Sequence, residues 1–129
     1  MDDFKRIIHK DVVIEIVNLT RATLQEAGEL KKILTEDIEN GFRKVVVDIS
    51  RCGFIDSTFL GALVYSLKNI AEVGGDIRIV KLDFLAGPFI KKLGTMNIFN
   101  VFKSVEEAIG SYDFPEVQNH YIGKSCIYQ

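Results

Sequence analysis

Asp56-Ser57-Thr58 sets a carboxylate between a short polar loop and two hydroxyls, just ahead of an apolar run. The run carries Leu60, Leu63, Val64, Leu67 and Ile70 at spacings of three and four, the period of a helix with one buried side. A small polar cluster before such a run marks a helix N-terminus, and the spacing predicts Ser57 as its N-cap. A serine in this place has two uses readable from the residues alone. It can cap the helix, worth about 1 kcal/mol. It can also attack a substrate, which requires a nearby base held by a third group. The only histidines are His9 and His120, and neither is tied to Ser57 by a motif. The flanking residues do not form Gly-x-Ser-x-Gly either. Hydrolase chemistry is therefore not expected, and Asp56 is expected to add charge complementarity at the helix start.

Other candidate chemistry is thinner. Gly123-Lys124-Ser125 echoes the end of a phosphate-binding loop, but Gln118 stands where the first glycine would be and no strand-loop-helix context surrounds it. No Cys/His cluster has metal-ligand spacing, so neither metal nor cofactor is expected. Cys52 and Cys126 lie in unrelated contexts and are expected as two reduced thiols, Cys52 a buried one. Lys31-Lys32 and Lys91-Lys92 read as solvated helix faces. The net charge of −2 and pI near 5.7 supply no basic field, which excludes nucleic acid as an expected partner. No apolar run reaches the ~18 residues that span a bilayer. Met1-Asp2-Asp3-Phe4 is acidic rather than signal-like, so the cytoplasm is expected.

The elements that must hold the loop follow from hydrophobic pattern. Lys44 is followed by Val45-Val46-Val47, a β-branched run typical of a strand buried on both faces. Upstream, residues 4–8 and 11–17 read as two strands joined by a hairpin-length connection at His9-Lys10-Asp11. Thr23 and Glu26 stand at capping-box spacing and open a helix bearing Leu24, Ala27, Leu30, Leu34 and Ile38, closed by Asn40-Gly41. Downstream, Gly74-Gly75 turns the chain into a strand over 76–80. Pro88 is placed for the first turn of a further helix carrying Phe89, Ile90, Leu93 and Met96. A short strand is expected at 98–102, and Ser104 and Glu107 form a second capping box for a helix to about Ser111. The order β-β-α-β-α-β-α-β-α predicts an α/β sandwich in one domain over residues 1–112. Residues 113–129 form a C-terminal extension, either packed on the domain or used for partner binding or self-association as a homodimer.

Strand, short loop, Asp56-Ser57-Thr58-Phe59-Leu60-Gly61, then an apolar helix resembles the signature of STAS domains, over roughly residues 10–110. The pattern is nearest to the small single-domain anti-sigma factor antagonists of bacteria, whose motif usually runs Asp-Ser-Ser/Thr-Gly-Leu-Gly. Phe59 replaces the usual glycine, and Asn18 to Arg21 does not reproduce the family's Gly-x-Leu-Asp-like turn. The resemblance implies a mixed sheet of about five strands with about four helices mainly on one side. It also implies that Ser57 is phosphorylated by a partner kinase, with Thr58 as the alternative acceptor. A phosphate would add about −1.5 to −2 charges, which the helix N-terminus tolerates. Its effect would fall on a partner docked over Asp56, Ser57, Thr58, Phe59, Ala62 and Ser66, with Phe59 either core packing or an exposed anchor. The unmodified chain would bind an anti-sigma factor with serine-kinase activity and free a sigma factor; phosphorylation would release it and a phosphatase would reset it. Two other roles are compatible with the family: a docking subunit of a lipid or anion transport system, and a nucleotide-sensing module.

Overall fold

In a computed structural model, described here for residues 2–81 and 99–113, the chain forms β1 (Phe4–His9), β2 (Val12–Val17), β3 (Arg21–Ala22), α1 (Leu24–Glu39), β4 (Lys44–Asp48), β5 (Phe54–Ile55) and α2 (Ser57–Glu72). These are followed by β6 (Asp76–Val80), β7 (Asn100–Phe102) and α3 (Val105–Ser111). Five strands make one mixed sheet in the order β1-β2-β4-β6-β7. Among the described residues only the β1–β2 hairpin is antiparallel; β2, β4, β6 and β7 run parallel, with Val13 beside Val45 and Val45 beside Ile77. The expected α/β sandwich with a sheet of about five strands is thus present. The expected helix after Pro88 and the extension over 114–129 lie outside the described residues.

Side-chain alternation divides the sheet into two cores. Val13, Val17, Val45, Val47, Ile77 and Ile79 face α1 and α2, meeting Leu30, Leu34, Leu60, Leu63 and Leu67. Val12, Ile14, Val46 and Val80 face the opposite way and meet Ala108 and Tyr112 at the α3 end. Of the described helices, two therefore cover one face and one covers the other. α1 and α3 start where expected. Thr23 caps α1, its Oγ1 accepting from the Gln25 amide at 3.3 Å, while Glu26 Oε1 accepts the Thr23 amide at 2.9 Å. Leu24 differs from expectation: it is exposed, because the first turn of α1 extends past the core.

The strand at 76–80 departs from what its alternation suggests. Asp76 and Arg78 would face water in a half-covered strand, yet all five residues are buried. The reason is α3. Arg78 donates from Nη1 to Ser111 Oγ at 2.6 Å and from Nε to Asp76 Oδ2 at 3.2 Å, with its guanidinium 3.8 Å from the Tyr112 ring centroid. The Tyr112 hydroxyl lies 2.8 Å from the carbonyls of both Val45 and Asp76 and accepts the Val45 amide at 3.2 Å. Burial raises the Asp76 carboxyl pKa against the pull of Arg78, and raises that of Tyr112 well above the ordinary phenol. A charged layer under a short helix is stable because nearly every group in it is paired.

Candidate functional site

The parallel strands carry the chain to their C-terminal ends, where β4 exits through Asp48. The Ser50 amide donates to Asp48 Oδ1 at 2.9 Å and turns the chain back. The following residues form β5, which pairs with β3 in parallel, Arg21 with Phe54 and Ala22 with Ile55. This two-stranded ribbon had no hydrophobic pattern to announce it, being two residues long on each side. It matters because it brings the start of α1 beside the start of α2. Backbone bonds from Gly53 and Phe54 to the Thr20 carbonyl, and from Asp56 to the Ala22 carbonyl, fix the two loops together.

Asp56 is what both helices share. Its Oδ1 accepts the Phe59 amide of α2 at 2.8 Å and its Oδ2 accepts the Leu24 amide of α1 at 2.9 Å. One carboxylate therefore satisfies a donor at each of two helix N-termini and meets the positive end of both dipoles. The N-cap of α2 is Asp56, not Ser57 as the sequence suggested. The physical reason is charge: a carboxylate with two oxygens can serve two helices at once, whereas a serine hydroxyl serves one. Ser57 is consequently the first helical residue, exposed, with Thr58 exposed beside it.

The expected docking face needs correction at three of its six positions. Phe59, Ala62 and Ser66 are buried, Phe59 completely. α2 packs on the sheet beneath and on α1 at its flank, so it buries a wider arc than its leucine stripe alone: positions 59, 60, 62, 63, 66, 67 and 70. Phe59 fills the core rather than standing as an anchor. The outer side of α2 instead shows Ser57, Thr58, Gly61, Tyr65 and Lys68. Around it stand Leu24 and Phe54, both exposed, with the Arg21 guanidinium 4.4 Å from the Phe54 ring and Lys31 Nζ 4.5 Å from the Tyr65 ring. Arg51 donates to Asn18 Oδ1 at 2.6 Å at the rim. Helical spacing from Ser57 could have picked out Gly61, Tyr65 and Lys68; nothing in the pattern could have placed Leu24 or Phe54 there.

The remaining candidate groups fall elsewhere. His9 ends β1 opposite Val12, at the far end of the strands from Asp56. Cys52 is a free, buried thiol whose pKa burial pushes up to about 12, with Asp48 adding to the shift. Such a thiol stays protonated and inert. Among the described residues no group of His, Cys, Asp and Glu is arranged to hold a metal ion. Also among them, no helix is long and apolar enough to cross a membrane.

A mixed five-stranded sheet with a serine opening the helix after the central parallel strand defines a class. The sequence profile of the STAS domain matches residues 21–108, and the chain belongs to that family. Among curated proteins it is similar to the candidate anti-sigma factor antagonist TM1081 homolog of Thermotoga neapolitana, 27% identical over 103 residues that cover 79% of this chain and 90% of that one. Its fold matches the crystal structure of a candidate anti-sigma factor antagonist from Thermotoga maritima with a TM-score of 0.70 and 25% identity, covering 84% of this chain and 92% of the other. It also matches the phosphorylated form of the Bacillus cell fate determinant SpoIIAA, with a TM-score of 0.64 and coverage of 84% and 98%. At 16% identity that likeness speaks for the fold alone.

Proposed function

We propose that this protein is an anti-sigma factor antagonist whose binding is switched by phosphorylation of Ser57. The observation that carries the reading is the division of labour at the α2 N-terminus. Asp56 does the capping, so the exposed Ser57 hydroxyl has no structural duty to perform. A residue that is free of the fold can be modified without unfolding it. The relatives named as anti-sigma factor antagonists support the class of partner.

In this reading the unmodified chain docks on an anti-sigma factor that has serine-kinase activity, and so frees a sigma factor. The kinase brings the ATP; the chain is a regulatory partner rather than an enzyme and works in the cytoplasm. A phosphate on Ser57 stands next to the Asp56 carboxylate, whose oxygens already hold the Phe59 and Leu24 amides. The added charge therefore stays at the surface, facing the partner. Burying it unpaired against a surface fitted to a neutral hydroxyl is costly, and the complex separates. A phosphatase restores the binding form. Asp56, Ser57 and Thr58 belong to the contact surface, joined by the exposed Leu24, Phe54 and Tyr65 in place of the buried Phe59, Ala62 and Ser66.

Phosphopeptide mass spectrometry on the protein from its own cells, in growth and under stress, tests the modification. Phosphate on Ser57 that changes between conditions is the expected result. Its absence from Ser57 in every condition would contradict the switch.

A further inference from the structure

We infer that the outer strip between α1 and α2 is built to receive an acidic, amphipathic segment of a partner protein, with Arg21 and Lys31 as its two cationic ends. This rests on the proposed function only in taking Ser57's surroundings as the contact face.

The two helices start together at Asp56 and run side by side in the same direction, since Leu24 of α1 reaches Asp56 and Lys31 seven residues on reaches Tyr65 of α2. At a rise of ~1.5 Å per residue the strip is about 10 Å long between these points. Leu24, Phe54 and Tyr65 are exposed along it, by 66%, 36% and 49%. Leu24 and Phe54 stand at the start of α2 and Tyr65 about two turns along it, a row that marks a contact surface more than isolated surface residues do. Midway, each helix has a glycine. A Cβ added at Gly28 or at Gly61 would meet nothing within 4 Å, so neither glycine is required by packing inside the chain. Each is a poorer helix former than alanine would be. The open space they leave lets another chain approach the helix backbones closely.

Charge selects the occupant. Arg6, Lys44 and Arg78 are engaged in ion pairs, whereas Arg21 and Lys31 have none among the described residues. Each instead lies over an aromatic ring, which holds the cation at the strip's edge without neutralising it. Glu26 and Glu29 of α1 are on its other flank, where they join Asp2 and Asp3 around an open groove of about 600 Å³. A partner helix with an apolar residue flanked by two carboxylates matches the strip in polarity and charge. Phosphate on Ser57 would set like charge against those carboxylates, which accounts for release more specifically than added bulk does.

The test titrates the labelled full-length protein by NMR with a synthetic amphipathic helical peptide carrying Glu at i and i+7 around a leucine. The Glu→Lys version of the peptide and the double variant Arg21→Glu/Lys31→Glu serve as comparisons. Expected are shifts centred on Gly28, Gly61 and Tyr65, and about tenfold weaker binding in either comparison. Equal binding of both peptides, or shifts elsewhere, would overturn the inference. Self-association of the chain alone that the double variant abolishes would also overturn it, assigning the strip to another copy's acidic groove. The same variant, titrated with an anti-sigma factor that binds the unmodified protein, separates the two readings. Unchanged affinity there sinks the strip's role while leaving the switch standing. Peptide binding at the strip without anti-sigma factor binding leaves the strip standing alone.

Discussion

Asp56 and Ser57 are adjacent in the chain and opposite in consequence. Removing the Asp56 carboxylate orphans an amide on each of two helices, so Asp56→Ala is expected to cost about 2 kcal/mol or more. Ser57→Ala removes an exposed hydroxyl with no structural bond and is expected to stay within about 0.5 kcal/mol of the parent. Urea unfolding of the two variants checks this; a comparable loss at Ser57 would return the capping role to the serine. The polar cluster told where the helix begins because small polar residues favour N-termini whatever their exact register. It could not tell which of the three caps, since that depends on α1 arriving from 32 residues away. Cys52 was legible as a buried thiol only from its residue type, since a free cysteine packs as a small apolar group; its neighbours Arg51 and Gly53 are exposed. Phe59 was ambiguous until the flank of α1 closed over it.

Between elements, the join of α1 to the hairpin carries a titratable weak point. Arg6 of β1 donates from Nε to Glu15 Oε2 of β2 at 2.7 Å, and the same nitrogen lies 3.0 Å from Asp37 Oδ1 of α1, with Glu36 at the rim. That nitrogen has one hydrogen, so Asp37 receives the charge without the bond, and both its oxygens are buried without a hydrogen-bond partner. Burial first, then neighbouring Glu15, raises the Asp37 pKa from 3.8 to about 8. The folded state thus holds a proton between those values that the unfolded state does not. The stability contributed is full below the unfolded value and is lost as pH rises through about 8, at no more than ~1.4 kcal/mol per pH unit. Urea midpoints from pH 6 to 9 should fall for the parent and stay nearly level for Asp37→Asn; parallel curves would contradict the assignment. Close approach sets a second limit. A Cβ at Gly75 would lie 2.6 Å from the Arg43 carbonyl oxygen and 2.7 Å from Ile70 Cγ1, and that carbonyl accepts the Asp76 amide that registers β6. Gly75→Ala is expected to lower stability by about 1–3 kcal/mol in thermal or urea unfolding; a neutral result would mean that the turn shifts freely. Helices and strands of five residues or more were legible because their periods are long enough to repeat. The β3–β5 ribbon and the burial of Arg78 were not, since both depend on partners distant in sequence.

At the scale of the molecule, parallel strands deliver both helix starts to one end of the sheet, and the sequence that breaks β4 places Ser57 there. The family and the sheet could be read from the order of elements and from the Asp56-Ser57-Thr58 motif. The proposed docking surface could be read only in part, because α2 buries more of its circumference than its own periodicity shows. The most direct test of the account is calorimetric titration of the anti-sigma factor with this protein, unmodified and stoichiometrically phosphorylated on Ser57. The proposed switch requires binding by the unmodified form and at least a hundredfold loss on phosphorylation, with unchanged far-UV circular dichroism. Equal affinity of the two forms would contradict it.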